Sequence, residues 1–205
     1  MKFNEIVKWK TSIGDFPYTR KFDSDNLPVD DSSKKHLRVW NSFKSTLSAA
    51  IICGLEVMPI NKTTNILYIG TLDDDIKLNF LDLVENNQEI IVLNENNPKT
   101  TADYNPTPTR NASIKYVNSL EQIQGKFLII YIDDVDFTLE KIANLSNQFL
   151  NNSGYLIISL KKSSREKFEK IFSNLSQSFQ IIQELNIESY FRNKSLFLFK
   201  NRNVK

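Results

Sequence analysis

Cysteine is nearly absent from this chain, which has one copy, Cys53, in 205 residues. An intrachain disulfide framework is therefore excluded, because a bridge needs two thiols. Cys53 lies in the apolar stretch Ala49–Leu55. That setting favours a buried small hydrophobic side chain over a reactive thiol.

Long hydrophobic runs are also missing. No stretch reaches the roughly 18 apolar residues that span a bilayer. The first residues, Met1–Glu5, carry no signal-peptide core. We therefore expect a cytoplasmic protein without membrane attachment.

Neither sign of charge dominates, since 26 lysines and arginines face 24 aspartates and glutamates, for a net charge of +2. This balance does not by itself indicate nucleic-acid binding, because electrostatic attraction depends on where the charges lie. The length and the 40% hydrophobic content indicate one main globular domain with a substantial core.

Glycine is scarce where a cofactor loop would need it. Residues 66–76 read Ile-Leu-Tyr-Ile-Gly-Thr-Leu-Asp-Asp-Asp-Ile, so the turn after a strand pattern has only Gly70 and then Asp73–Asp75. Glycine-rich turns let backbone amides approach an anionic or adenosine-bearing cofactor. The three acids would cap the next helix well. They would also occupy the place that a cofactor needs.

Strand and helix patterns alternate along most of the chain. The predicted strands are Ile66–Ile69, Glu89–Leu93, Ile114–Val117, Phe127–Ile132 and Tyr155–Leu160, and the predicted helices are Ser42–Glu56, Ile76–Val84, Thr138–Phe149 and Arg165–Leu175. Apolar strands separated by helices predict a mostly parallel sheet that is covered on both faces.

The two ends of the chain have different patterns. Phe179–Ile187 and Ser195–Lys200 follow each other without a helix. They predict an antiparallel hairpin at the sheet edge, as in class I methyltransferases and unlike a plain dinucleotide dehydrogenase. Short apolar pieces broken by glycine and proline predict a small β-rich or irregular N-terminal lobe over residues 1–36. We predict a Rossmann-like α/β methyltransferase domain over residues 37–205.

A specific resemblance begins in residues 37–51, Leu-Arg-Val-Trp-Asn-Ser-Phe-Lys-Ser-Thr-Leu-Ser-Ala-Ala-Ile. This segment resembles the tryptophan-asparagine-proline, arginine-serine-lysine-leucine and alanine-alanine-isoleucine signature of fibrillarin, the RNA 2′-O-methyltransferase of box C/D ribonucleoproteins. Further matches follow in the family's order at Pro59–Ile60, Leu67–Gly70, Asp133–Val135, Gly154–Lys161 and Leu185–Tyr190. Unrelated Rossmann proteins would share the periodicity without the Trp-Asn helix.

The resemblance places the family's catalytic positions on Thr46, Asp133, Lys161 and Lys194. The family has lysine at the first position and histidine at the last, so only the aspartate and the second lysine keep their identity. Orienting a ribose 2′-hydroxyl toward a sulfonium methyl group requires a positioned basic network. Threonine does not supply the missing cation.

The same resemblance places the cofactor positions on Gly70, Asp73, Asn94 or its neighbour Glu95, and Ser119. The family's ribose-binding glutamate falls on Asn94, and its adenine-side aspartate falls near Ser119. Carboxylates in the loop would repel the carboxylate of S-adenosylmethionine by on the order of 1 kcal/mol per close pair. We expect weak binding of S-adenosylmethionine or none.

The acidic residues have other interpretations. Asp133 at a strand end also fits a helix cap. Asp133, Asp134 and Asp136 together with Asp73–Asp75 would suit a divalent cation, as in a metal-dependent nucleic-acid enzyme. We predict no metal site, because metal binding needs converging ligands of fixed number and acidic surface clusters are commonly just solvated.

The basic residues suggest an RNA-binding surface on the sheet's ligand face. The candidates are Lys161, Lys162, Arg165, Arg192 and Lys194, with Lys34, Lys35 and Arg38 as an extension. Such groups would neutralise phosphates without performing chemistry. Scattered solubilising lysines fit the same residues equally well.

The resemblance and the losses together predict a catalytically degenerate, fibrillarin-like assembly subunit of a ribonucleoprotein. The implied partner is a scaffold protein of the Nop5, Nop56 or Nop58 type, with RNA bound through the complex. In a eukaryote the location would be nucleolar. The alternative is an active S-adenosylmethionine-dependent rRNA or tRNA 2′-O-methyltransferase that uses Asp133 and Lys161.

Overall fold

The computed structural model describes residues 6–11, 14–20, 37–84, 88–94, 112–133, 135, 137–161, 173, 175 and 178–202. The strands are β1 (Ile6–Thr11), β2 (Gly14–Arg20), β3 (Leu37–Val39), β4 (Ile66–Ile69), β5 (Glu89–Leu93), β6 (Ser113–Val117), β7 (Phe127–Asp133), β8 (Leu150–Lys161), β9 (Phe179–Asn186) and β10 (Lys194–Asn201). The helices are α1 (Thr46–Ile52), α2 (Asp74–Leu83) and α3 (Leu139–Phe149).

The large sheet has the strand order β6-β5-β4-β7-β8-β10-β9. Strands β4 to β8 pair in parallel, while β10 pairs antiparallel with both β8 and β9. The predicted parallel sheet with an antiparallel C-terminal edge hairpin is confirmed. In this order β10 lies between β8 and the edge strand β9. Because β10 is antiparallel to β8 and begins opposite Lys161, the turn between β9 and β10 lies at the edge where the parallel strands end.

Apolar side chains cover both faces of this sheet. Alternate residues of β4 illustrate the pattern, because Tyr68 faces the core beneath α1 and α2 and Leu67 faces the core beneath α3. Trp40 is fully buried in the first core and meets Phe80 edge to face, with ring centroids 5.6 Å apart. Burying such a side chain stabilises the fold by roughly 1.5–3 kcal/mol.

Helix α1 is shorter than the predicted Ser42–Glu56. The Asn41 side chain accepts a hydrogen bond from the Phe43 N–H and organises a turn before the helix, and the Ser45 side chain then caps it. Gly54, with φ of 101°, ends the helix, and the next N–H returns to the Ala50 carbonyl. Local turn chemistry at both ends sets the length.

Among the remaining boundaries that the structure describes, the start of β8 differs most from the prediction. β8 begins at Leu150, ahead of the predicted Tyr155, because the strand continues directly from the end of α3. The predicted helix Arg165–Leu175 lies mostly outside the described residues, of which Ser173 and Leu175 are helical.

A buried polar junction joins the small sheet β1-β2-β3 to α2. Asp82 accepts hydrogen bonds from Arg38 Nε at 2.7 Å and from Thr19 Oγ1 at 3.0 Å. Asn79 Nδ2 donates to Thr19 Oγ1 and to the Val39 carbonyl at 3.0 and 3.2 Å. Arg38 therefore serves this junction, and its predicted place on an RNA surface stays a prediction.

The small sheet runs past the predicted lobe of residues 1–36, because its third strand is Leu37–Val39. That strand pairs antiparallel with β2 and supplies both Arg38 and the Val39 carbonyl to the junction. The division of the chain into two domains stays a prediction.

Candidate functional site

A cavity lies at the carboxyl ends of the parallel strands. Gly70 and Asn94 directly follow β4 and β5, and Asp133 is the last residue of β7. Open α/β sheets place their ligands at this edge. The cavity has a volume of about 250 Å³ and is lined by Lys44, Thr46, Ile69, Gly70, Thr71, Leu93, Asn94, Asp133, Val135, Phe137, Phe191 and Lys194.

Neutral hydroxyl groups hold the carboxylate of Asp133. Its Oδ1 accepts hydrogen bonds from Thr46 Oγ1 at 2.9 Å and Ser159 Oγ at 2.5 Å, and its Oδ2 accepts one from Tyr68 OH at 2.7 Å. Ser159 reaches the carboxylate because it is the register partner of Asp133 on β8. These donors fix the orientation of the carboxylate without adding a positive charge.

Thr46, the first residue of α1, links Asp133 to a buried phenol. The Thr46 hydroxyl also bonds the OH of Tyr131. Since the one hydroxyl proton of Thr46 goes to Asp133, Tyr131 is the donor in that second bond. Burial, and then the charge of Asp133, raise the pKa of Tyr131 well above its usual range. The phenol therefore stays protonated at neutral pH.

Gly70 is required by the backbone at this strand end. Its φ is 138°, a conformation that favours glycine, and its N–H donates to the Leu93 carbonyl at 3.1 Å. A Cβ at this position would collide with the carbonyl oxygen of Asp133. The presence of glycine is thus explained by packing between neighbouring strands.

The loop acids lie at the start of α2. Asp73 and Asp74 are exposed, and Asp74 pairs with Lys77 at 2.6 Å, one helical turn away. Asp73 approaches Lys44 at 3.9 Å, where an exposed pair contributes little. The described residues that line the cavity include neither carboxylate. Asp73 and Asp74 therefore lie outside the described lining, and the side chain of Asp75 lies outside the described part. That these acids occupy the cofactor's place stays a prediction.

Of the other two predicted cofactor positions, Asn94 lines the cavity and Ser119 does not. Asn94 is 8% exposed and lines the cavity, and its backbone N–H donates to the Val117 carbonyl at 3.1 Å. Ser119 precedes a short 3-10 helix, and its N–H donates to the Gln122 side chain at 3.3 Å. Ser119 is not among the described residues that line the cavity.

The two lysines of the predicted catalytic set are register partners on β8 and β10. Lys194 is 8% exposed, lines the cavity and lies 5.1 Å from the ring centre of Phe191. Lys161 and Arg192 are exposed. Lys162 and Arg165, like Lys34 and Lys35, lie outside the described residues.

Sequence reasoning missed the hydroxyls around Asp133. Tyr68 and Tyr131 are register partners in the middle of neighbouring strands, and their rings lie 5.1 Å apart. Ser159 interrupts an otherwise apolar run in β8. A polar group in a buried strand needs a partner, so these three residues carried a readable signal.

No three histidine, cysteine, aspartate or glutamate side chains converge as metal ligands within the described ranges. Asp134 and Asp136 lie outside those ranges, so the absence of a metal site stays a prediction.

Among the described residues, no helix is both long and apolar enough to cross a membrane.

The sheet order, the antiparallel edge hairpin and the polar cavity define a Rossmann-like methyltransferase fold. The Fibrillarin family model matches residues 18–102. The fibrillarin-like rRNA/tRNA 2′-O-methyltransferase of Methanococcus vannielii is 31% identical over 189 residues, covering 82% of this chain and 79% of that protein. The chain belongs to the fibrillarin family.

Two solved structures confirm the fold. Aeropyrum pernix fibrillarin with natively bound S-adenosyl-L-methionine has a TM-score of 0.73 at 15% identity, covering 95% of this chain and 94% of that one. A fibrillarin in complex with Nop5p has a TM-score of 0.65 at 15% identity, covering 95% and 97% of the two chains.

Proposed function

We propose that this chain is an assembly subunit of a ribonucleoprotein, bound to a Nop5-type scaffold protein, and that it does not transfer methyl groups. The observation that carries the proposal is the contact between Thr46 and Asp133. At the position where the family resemblance expects a lysine, a neutral hydroxyl donates to Asp133 at 2.9 Å.

This contact bears directly on the chemistry. Methyl transfer to a ribose requires that the 2′-hydroxyl lose its proton while it attacks the sulfonium methyl group. Thr46 has no charge to stabilise the developing alkoxide, and its proton is already committed to Asp133. The carboxylate of Asp133 in turn already accepts three described hydroxyl donors.

The residues at the cavity also fit S-adenosylmethionine poorly. Asn94 offers a neutral amide where the resemblance expects a carboxylate for the ribose, and Ser119 is not part of the described lining. Gly70 is accounted for by the approach of the Asp133 backbone. The cavity of about 250 Å³ is smaller than the roughly 300–1,000 Å³ that is usual for small-molecule sites.

The partner follows from what the chain keeps. The chain keeps a packed domain, with a fully buried Trp40 and the antiparallel edge hairpin. It keeps only part of the catalytic set that the family resemblance implies. Protein-binding faces and reaction sites are separate properties of a fold. The similar fibrillarin that was solved with Nop5p supports a scaffold of that type. A subunit of such a particle would be intracellular, and nucleolar in a eukaryote.

Two measurements test the proposal. Co-expression with Nop5-type proteins of the same organism should give a stable heterodimer on a sizing column at moderate salt. Titration with S-adenosylmethionine in a calorimeter should give no saturable heat up to millimolar concentration. Low-micromolar cofactor binding would overturn the claim that the cofactor site is lost, whereas a monomer with every scaffold would overturn the assembly role.

An active 2′-O-methyltransferase is the second candidate, and the position of the loop acids favours it. Because Asp73 and Asp74 are exposed, they leave the described cavity open next to Asp133 and Lys194. Methyl transfer by a reconstituted particle, abolished by Asp133→Ala or Lys161→Ala, would establish this function. We expect no transfer, and none after Thr46→Lys, because that change repairs only one of the two defects.

A further inference from the structure

Two large apolar side chains are exposed among the described residues, Val39 at 50% and Phe43 at 55%. Phe43 differs from Val39 in having an aromatic neighbour. Its ring packs on Tyr190, with centroids 5.1 Å apart and planes at 58°. We call these two rings the aromatic platform.

The platform adjoins the cavity. Lys44 directly follows Phe43, Phe191 directly follows Tyr190, and both of these neighbours line the cavity together with Lys194. The ammonium group of Lys194 lies 5.1 Å from the centre of the Phe191 ring. Both segments of the platform therefore continue into the cavity wall, where they contribute aromatic and cationic side chains.

The charges around the platform favour an anionic ligand. Lys44, Lys194, Arg192 and Lys161 lie on the two segments that form it and on the neighbouring strand. The opposing Asp73 is 3.9 Å from Lys44 with both side chains well exposed, so water and salt screen this pair.

This combination fits RNA better than a protein partner. The centre of a protein interface is depleted in charged residues, whereas here Lys44 directly follows Phe43, whose ring is exposed. Single-stranded RNA presents flat bases that stack on aromatic side chains and phosphates that pair with lysine and arginine.

We propose that Phe43 and Tyr190 stack an unpaired base of single-stranded RNA, while Lys44 and Lys194 neutralise the adjoining phosphates. The proposal deepens the proposed function, on which it rests for RNA as the ligand. The site would accept any unpaired base, because every base has an aromatic face that can stack. It would not select a sequence, because the proposed contacts include no hydrogen bond to a base edge.

The test measures binding of a fluorescently labelled ten-nucleotide oligo(A) to the full chain by anisotropy. Phe43→Ala should raise the Kd roughly fivefold or more, as expected for the loss of one stacked base. Tyr190→Leu should act in the same direction, and Phe43→Trp should bind at least as tightly as the unmodified chain. Val39→Ala, a change at an equally exposed apolar residue without an aromatic partner, is the matched control and should leave the Kd unchanged.

The salt dependence separates stacking from charge. Phe43→Ala should keep the slope of log Kd against log salt, whereas Lys44→Ala should lower its magnitude by about 0.7, the value for one phosphate on a single strand. Equal affinity for oligo(A) and for an abasic strand of the same length would overturn the proposal. Equal affinity of Phe43→Ala and Val39→Ala would also overturn it.

The same variants are run with the scaffold on the sizing column. Loss of the heterodimer in Phe43→Ala, with oligo(A) affinity unchanged, would make the platform a protein anchor and overturn the stacking site. A chain that forms the heterodimer but binds no oligo(A) would also overturn it and leave the assembly role standing. Ring-dependent binding of oligo(A) by a chain that joins no scaffold would support the stacking site and refute the assembly role.

Discussion

Asp82 and Asp133 are aspartates in two polar clusters of one domain, yet their partners differ in kind. The Asp82 side chain is fully buried and accepts from the guanidinium of Arg38. Asp133 is partly buried at a cavity, and every donor described for it is a neutral hydroxyl. A carboxylate that is removed from water needs a cation, whereas one at a cavity keeps access to water. The comparison separates a carboxylate paired with a cation from one whose orientation is fixed, among the described residues, by neutral hydroxyl groups.

Breaking the first cluster should have the largest effect. Arg38→Met removes the cation and leaves Asp82 buried with its charge, so we expect a loss of about 3 kcal/mol in the free energy of unfolding, measured with urea. The guanidinium side chain is 27% exposed, which argues for the lower end of the range. In the double variant Arg38→Met with Asp82→Leu, most of the stability should return. A single variant as stable as the unmodified chain would refute the role of the junction.

Breaking the second cluster should cost less. Asp133→Ala removes the acceptor of the described hydroxyl groups of Thr46, Tyr68 and Ser159. We expect a loss of about 1–2 kcal/mol, because water entering from the cavity replaces part of the hydrogen bonding. Asp133→Asn keeps an acceptor oxygen and should cost less still. If Asp133→Ala destabilised the chain as much as Arg38→Met in the same urea titration, the contrast between the clusters would fail.

The smallest effect should come from Tyr131, and it should depend on pH. Its pKa is raised in the folded state, so its stabilising contribution is full below the usual tyrosine value of about 10 and is lost as the pH rises beyond it. Tyr131→Phe should cost about 1 kcal/mol at pH 7, through the lost hydrogen bond to Thr46. Between pH 9 and roughly 11 the urea midpoints of the two proteins should converge. A constant difference over that range would show that the phenol does not titrate as stated.

Much of the fold was readable from local patterns, because strands contain apolar runs such as Ile66–Ile69 and Ile90–Leu93 and helices separate them. The edge hairpin was readable because no helix pattern interrupts it. The limits of α1 were not, since the Asn41 turn and Gly54 override an apolar spacing that continues past both ends.

Contacts across the chain were the harder part of the site. The pairing of Arg38 with Asp82 spans 44 residues, and the bond from Thr46 to Asp133 spans 87. The family resemblance placed Thr46 and Asp133 in one site, but it gave no reason to place Arg38 in a buried junction. The exposure of Asp73 and Asp74 was not readable either, because sequence alone does not show whether a helix N-terminus turns its acids toward the cavity or toward solvent.

Gly70 has a consequence for how such a loop changes over evolutionary time. Its lack of a side chain is enforced by the carbonyl of Asp133, so selection for a folded sheet is enough to retain it. A glycine that serves only to admit a ligand has no such protection once the ligand is lost. When a loop no longer binds a cofactor, substitutions should therefore remove some of its glycines before others. The glycine at the strand end should be retained, because the packing of the sheet requires it. The first glycine of the loop is therefore weak evidence for methyltransferase activity in distant relatives. The residues that follow it in the loop are stronger evidence.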